Sequence, residues 1–262
     1  MLNKVTHSVN TTTPETESTQ DKLQQTQLRE VAAAICINGI NQAVMMVSPK
    51  DLGDFALGFA LSEGLIDSPK EVLDTVITCH EQGWQIDIQV LARTQHQLKL
   101  RRRAMAGPSG CGLCGIDSIE QAMALSMSYT SHSFNELPAE DIILQAKDTL
   151  FNLQQEYAGI RGNHCAAYFD LSANAIAYRE DVGRHSALDK LLGCLVKKNR
   201  DITAGFALLT SRCSHDLIAK AARLSLSTLV TLAQPTDLAV NSARKAGLAL
   251  FCFQHDQLKR FA

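Results

Sequence analysis

The spacing of apolar positions changes character several times along the chain, and each change predicts an element. From residue 29, "REVAAAICINGINQAVMMVS" carries short apolar runs on either side of Asn38-Gly39, which predicts two strands joined by a tight turn. "SPKDLGDFALGFALSEGLI" reads as a helix, with apolar residues at Leu52, Phe55, Leu57, Phe59 and Leu61 and Ser48 as the expected cap. "EVLDTVITCHEQGWQIDIQVLA" returns to alternation at Val76, Trp84, Ile86, Ile88 and Val90, which predicts a hairpin about Gln82-Gly83. Together these segments make a small α+β unit over residues 29–106, closed by the loop chemistry of Gly107-Pro108.

Downstream, "IDSIEQAMALSM" is helical, with Asp117 and Glu120 in a capping-box-like spacing. "LPAEDIILQAKDTLFNLQQEYA" is a second, longer helix, and "GNHCAAYFD" and "AIAYRED" are adjacent strands. "HSALDKLLGCLVKK" puts Leu188, Leu191, Leu192 and Leu195 on one helical face. The pattern then alternates: "GFALLT" strand, "SHDLIAKAARL" helix, "STLVTLA" strand, "TDLAVNSARKA" helix ending at Gly247, and "LALFCF" as a final strand. Such alternation predicts a layered α/β domain over residues 107–262, with helices against the faces of its sheet.

Bulk properties narrow the function classes. The chain of 262 residues has a net charge of −2, which argues against a dedicated nucleic-acid binder. No run approaches the roughly 18 apolar residues a membrane helix needs. Residues 1–28 are rich in Thr, Gln, Ser and Glu and lack the apolar segment of a secretory signal, so a disordered tail and a cytoplasmic protein are expected. Of eight cysteines, Cys36, Cys194 and Cys252 lie inside apolar runs and read as small buried hydrophobes. A reducing compartment makes a disulfide framework improbable.

Cys111 and Cys114 alone form a spaced motif, in "RRRAMAGPSGCGLCGIDSIEQA". The helix after the loop, the arginines at 101–103 and the glycines at 107, 110, 112 and 115 favour an accessible thiolate. Several uses compete. A structural zinc site needs four ligands, and without a second CxxC the rest would fall to His164-Cys165 or to Cys213 and His215. A thioredoxin-like dithiol is expected nearer the start of a chain. A persulfide carrier needs one activated cysteine on an open loop with a second thiol to assist. A glycine-rich surface turn that happens to hold two cysteines is the bland alternative. Deaminase zinc chemistry is unsupported, because Pro108 is displaced from Cys111 and "CHEQG" has the wrong spacing.

Read together, "LGFALSEGLI", "GCGLCG", "NHCAAYFD", "REDVGRHSALDKLLG", "TSRCSHDLIAKAA" and "QPTDLAVNSARKAGLALFCF" resemble the FdhD family, sulfur carriers needed to make formate dehydrogenase active. The resemblance covers nearly everything after the tail. It implies a cytidine deaminase-like layered α/β domain with a smaller N-terminal unit, and a homodimer. It also implies that a cysteine desulfurase of the IscS type passes sulfur to Cys111, with Cys114 assisting. The persulfide would then serve a molybdenum (or tungsten) bis-pterin guanine dinucleotide cofactor, bound as substrate, before that cofactor enters the formate dehydrogenase catalytic subunit. No metal site and no permanent cofactor are expected of the chain itself.

The strand-to-helix corners in "EDVGRHS" and "TSRCSHD" then become candidate phosphate or guanine sites, through Arg184, His185, Arg212 and Ser214, with Ser214 the expected cap of its helix. Simple helix capping, with Asp181 and Arg184 as a surface ion pair, is the plainer reading of the same residues. His164 and His185 are candidates to contact cofactor or move protons. The resemblance adds a cofactor segment after the last strand: Phe253, Gln254, His255, Asp256, Gln257 and Leu258. Ser186 stands where the family commonly has Asn and Ser211 where Gly is common. The C-terminal segment is shorter and less glycine-rich than usual.

Overall fold

A computed structural model describes residues 27–105, 136–158, 162–255 and 257–262. The expected tail, the glycine-rich loop with Cys111 and Cys114, the helix at "IDSIEQAMALSM" and Asp256 lie outside the described residues.

The small unit is a four-stranded sheet in the order β2-β1-β4-β3. Strands β1 (Val31–Ile37) and β2 (Ile40–Val47) form the expected hairpin, with Asn38 at φ 46° and Gly39 at φ 77°. Strands β3 (Val72–His80) and β4 (Gly83–Val90) form the second, and β4 also runs parallel to β1. This turn falls on Glu81-Gln82, one residue earlier than expected, because Gly83 already pairs with His80. Helix α1 (Leu52–Ser62) closes the sheet's inner face: Phe55, Ala56 and Phe59 meet Ile35, Ile37, Ile86 and Ile88.

Ser48 does not cap α1. Asp51 occupies that position in a left-handed conformation (φ 58°), and Ser48 is buried against the other unit. Helix α2 (Ala92–Met105) is unexpected, since its sequence is almost wholly polar. It is anchored by Leu98 in the small core and by Thr94, whose hydroxyl donates to Glu71.

Among the described residues, the larger unit contains α3 (Glu140–Ala158) and a six-stranded sheet in the order β10-β9-β8-β7-β5-β6. Its strands are β5 (His164–Asp170), β6 (Ala175–Asp181), β7 (Gly205–Arg212), β8 (Thr228–Ala233), β9 (Ala249–Gln254) and β10 (Gln257–Arg260). Between them lie α4 (Arg184–Lys197), α5 (His215–Arg223) and α6 (Asp237–Ala246). Alternate residues of each central strand serve opposite faces, as the pleat requires. Ala166, Tyr168, Ala207, Leu209 and Leu229 pack under α4, α5 and α6. Cys165, Ala167, Phe169, Phe206 and Leu208 pack against Ile143, Ala146 and Leu150 of α3. Burial on both faces explains why these strands read as nearly continuous apolar runs.

"LALFCF" is not the last strand. Leu258 sits opposite Phe253 in a short β9–β10 hairpin that gives the sheet its edge. The Leu258 side chain packs with Phe253, and His255 takes φ 49° between the strands.

Helix α1 crosses α4 at near backbone contact. A Cβ at Gly58 would lie 1.8 Å from the Asp189 carbonyl oxygen, and one at Gly193 would lie 2.0 Å from that of Asp54. Only residues without a side chain permit this approach, which fixes the small unit against α4 of the large one.

Candidate functional site

Strands β7, β8 and β9 are parallel, so their last residues, Arg212, Ala233 and Gln254, lie along one edge of the sheet. Strand β5 is antiparallel to β7 and to β6, so its first residue, His164, and the last of β6, Asp181, reach the same edge. Ligands of open α/β sheets bind beyond the carboxyl ends of the strands.

The first corner joins β6 to α4 through Val182-Gly183. Asp181 is not a surface partner of Arg184. Its buried carboxylate accepts from the Gly183 amide (2.8 Å), the Ser48 amide (3.0 Å) and Lys190 Nζ (2.6 Å). The Val182 amide donates to Ser48 Oγ at 3.1 Å, and Lys190 Nζ also donates to the Ser48 carbonyl at 2.9 Å. Asp181 and Lys190, the second and last residues of the "EDVGRHSALDK" stretch, both serve to hold the turn. Arg184 and His185 open the helix, and α4 has no side-chain cap. The Arg184 Nε is buried and has no hydrogen-bond partner among the described residues, so it is a donor left over.

The second corner joins β7 to α5. Ser214 sits at the N-cap position but makes no capping hydrogen bond. Its hydroxyl lies instead 3.4 Å from His185 Nε2, which is also 3.9 Å from Asp216. Two corners separated by 29 positions therefore meet at one point. Arg212 is exposed at the end of β7. Helix α6, the next along, is self-capped, since Thr236 Oγ1 accepts from the Ala239 amide. Of these three helix starts, α4 and α5 lack a side-chain cap, and they are the two that meet.

Burial and cationic neighbours shift both histidines at this edge. Burial, and then the Arg184 guanidinium, push His164 below the ordinary imidazole range, with Asp181 opposing. Burial, Arg184 and Lys220 do the same to His185, against Asp216 and Glu63. Both imidazoles are therefore held towards the neutral form, ready to take a proton when negative charge arrives.

The C-terminal segment divides between core and turn. Phe253 is buried, with Lys147 Nζ 4.6 Å from its ring centroid, and Leu258 is half-buried in the same cluster. Gln254 accepts from Lys259 Nζ at 2.6 Å. His255 and Gln257 are exposed at the turn.

Among the described cysteines, burial pushes the Cys165 and Cys213 thiols up to about 12, so neither is a thiolate at neutral pH. No cluster of three or more His, Cys, Asp or Glu residues suited to a metal ion occurs among the described residues. Nor is any described helix long and apolar enough to cross a membrane.

A second buried clamp escapes a reading of the sequence. Lys220 Nζ donates to Asp189 at 2.9 and 3.0 Å and to Ser62 Oγ at 3.0 Å, and Ser62 Oγ donates to Asp189 at 2.6 Å. Burial alone would lower the Lys220 pKa, but Asp189 and Glu63 outweigh it and hold the ammonium charged. The available signal was "LDKLL", an Asp-Lys pair inside an apolar helical run, since such groups are buried only when paired.

Comparison with known proteins agrees with this architecture. A protein from Acinetobacter baylyi named sulfur carrier protein FdhD is 40% identical over 233 residues, covering 87% of this chain and 83% of that protein. One of the same name from Cupriavidus necator is 40% identical over 225 residues, covering 86% and 77%. A crystal structure of a candidate formate dehydrogenase accessory protein from Desulfotalea psychrophila superposes with a TM-score of 0.66 at 21% identity, over 89% of this chain and 86% of that one. That likeness establishes the fold. The model of the FdhD/NarQ family matches residues 28–261, which span both sheets and both corners, and the chain belongs to that family.

Proposed function

We propose that the protein is a sulfur carrier for formate dehydrogenase. It takes a sulfane sulfur from a cysteine desulfurase onto Cys111 and delivers it to the molybdenum bis-pterin guanine dinucleotide cofactor, its bound substrate, before that cofactor enters the enzyme's catalytic subunit. The observation that carries the reading is the meeting of two uncapped helix starts at the His185–Ser214 contact beside the unpartnered Arg184 Nε, in a chain whose relatives are named sulfur carriers. Helix-start amides and a guanidinium are the donor set that phosphates and a guanine edge require.

The chemistry balances with the two thiols. The Cys111 thiolate attacks the outer sulfur of the donor's persulfide, the donor's S–S bond breaks, and the donor leaves as thiolate. The Cys114 thiolate then attacks the inner sulfur of the Cys111 persulfide. A Cys111–Cys114 disulfide forms, and the outer sulfur departs with the bonding pair as hydrosulfide for the metal. A thiol reductant resets the pair.

Arg184, His185, Arg212 and Ser214, with the exposed His255 and Gln257, would hold the cofactor's anionic ends. A cytoplasmic homodimer belongs to the same reading. Complementation tests it: in cells lacking the native gene, Cys111→Ala abolishes formate dehydrogenase activity while the variant accumulates to parental levels. Full activity with Cys111→Ala overturns the reading.

A further inference from the structure

We propose that Ser48, contributed by the small unit, is a positioning residue for the ligand corner of the large one. The inference rests on the ligand reading of that corner. Ser48 binds the β6–α4 corner through both its backbone and its side chain. Its amide donates to Asp181 Oδ2, its hydroxyl accepts from the Val182 amide, and its carbonyl accepts from Lys190 Nζ. With Gly183 donating to Asp181 Oδ1, both amides of the turn are drawn inward. The turn cannot rotate, so the amides of the first turn of α4 and the Arg184 side chain keep a fixed aim at the sheet edge.

The Ser62–Asp189–Lys220 clamp provides a matched comparison. It has the same residue types, it also ties α1 to the large unit, and Ser48 and Ser62 are each 8% exposed. Yet its donors go to the middle of α4 and not to the turn. A purely structural role makes the two serines equivalent, whereas a positioning role separates them.

The test compares the full-length parent with Ser48→Ala, Ser48→Thr and Ser62→Ala. Inorganic pyrophosphate affinity is measured by calorimetry, and amide hydrogen exchange is followed over residues 182–186. Ser48→Ala is expected to weaken pyrophosphate binding about tenfold and to speed exchange at Val182 and through the start of α4. Ser48→Thr, which keeps the hydroxyl, restores both. Ser62→Ala lowers the melting temperature but leaves affinity within about twofold of the parent. Equal losses from Ser48→Ala and Ser62→Ala, or unchanged exchange at Val182 in Ser48→Ala, overturn the proposal. A parent that binds no pyrophosphate overturns the ligand reading instead, and the exchange data then decide the role of Ser48 in setting the turn.

Discussion

Lys190 Nζ lies 2.6 Å from the Asp181 carboxylate with both side chains wholly buried, so two charges nine residues apart in one stretch neutralise each other beneath the turn that presents Arg184 and His185. Burying two ions is tolerable only when they pair and their remaining hydrogen-bonding capacity is met. Here Ser48, Gly183 and the Glu180 carbonyl meet it. The pair therefore sets where the corner stands rather than what it binds.

Removing one partner should be costly. Lys190→Met leaves the Asp181 charge buried and is expected to lower unfolding free energy by about 3–5 kcal/mol, measured by urea denaturation. Converting Asp181 to Asn in the same chain should recover part of the loss. A cost below about 1 kcal/mol would mean that the pair is dispensable.

The α1–α4 crossing makes a second prediction. Gly193→Ala drives a methyl into the Asp54 carbonyl and must part the helices. The expected loss is about 3 kcal/mol or failure to accumulate as folded protein. An exposed control, Gln97→Ala on α2, should be silent.

The corner histidines predict a pH dependence. Both have folded pKa values below the unfolded value near 6.5. The folded state then binds fewer protons than the unfolded, so their contribution to stability is complete above the unfolded pKa and is lost as pH falls through it. Between pH 7.5 and 5.5 the parent should lose more stability in urea than a His164→Gln, His185→Gln double variant. An anion bound at the corner favours the imidazolium forms, so pyrophosphate should bind more tightly at pH 5.5 than at 7.5, with proton uptake seen as a buffer-dependent heat. Equal pH slopes in parent and double variant would contradict this.

Arg184, whose buried Nε has no hydrogen-bond partner among the described residues, predicts a charge-and-geometry effect. Arg184→Lys keeps the charge but loses the planar fork, and pyrophosphate affinity should fall about tenfold. Arg184→Ala should fall further and show a shallower salt dependence. Sulfur loading from a desulfurase should be unchanged in both. Loss of loading in Arg184→Lys would place this residue in the transfer step and not in cofactor binding.

How much of this was legible in the sequence follows from how local each determinant is. The Asn38-Gly39 hairpin and the end of α6 at Gly247 announce themselves, because positive φ is required there and the residues that adopt it readily are present. The central strands of the large sheet are legible as short, nearly continuous apolar runs, and its helices by the helical spacing of their buried positions. Helix α2 is hidden because its polar run has almost no apolar face, and β10 because four residues are too few for an alternation to show. Ser48 reads in the sequence as a helix cap, yet its partners lie 133 and 134 positions away, a relation that no local pattern displays. For the same reason Arg184, His185, Arg212 and Ser214 can be picked out as corner residues, but their convergence cannot.

The central claim is that Cys111 carries a sulfane sulfur. The direct measurement incubates the purified protein with a cysteine desulfurase and free cysteine, then maps the persulfide by mass spectrometry after thiol blocking. One added sulfur atom on Cys111, absent from Cys111→Ala and retained on Cys111 in Cys114→Ala, is the predicted result. Equal sulfur uptake by Cys111→Ala, or none by the parent, would contradict the account.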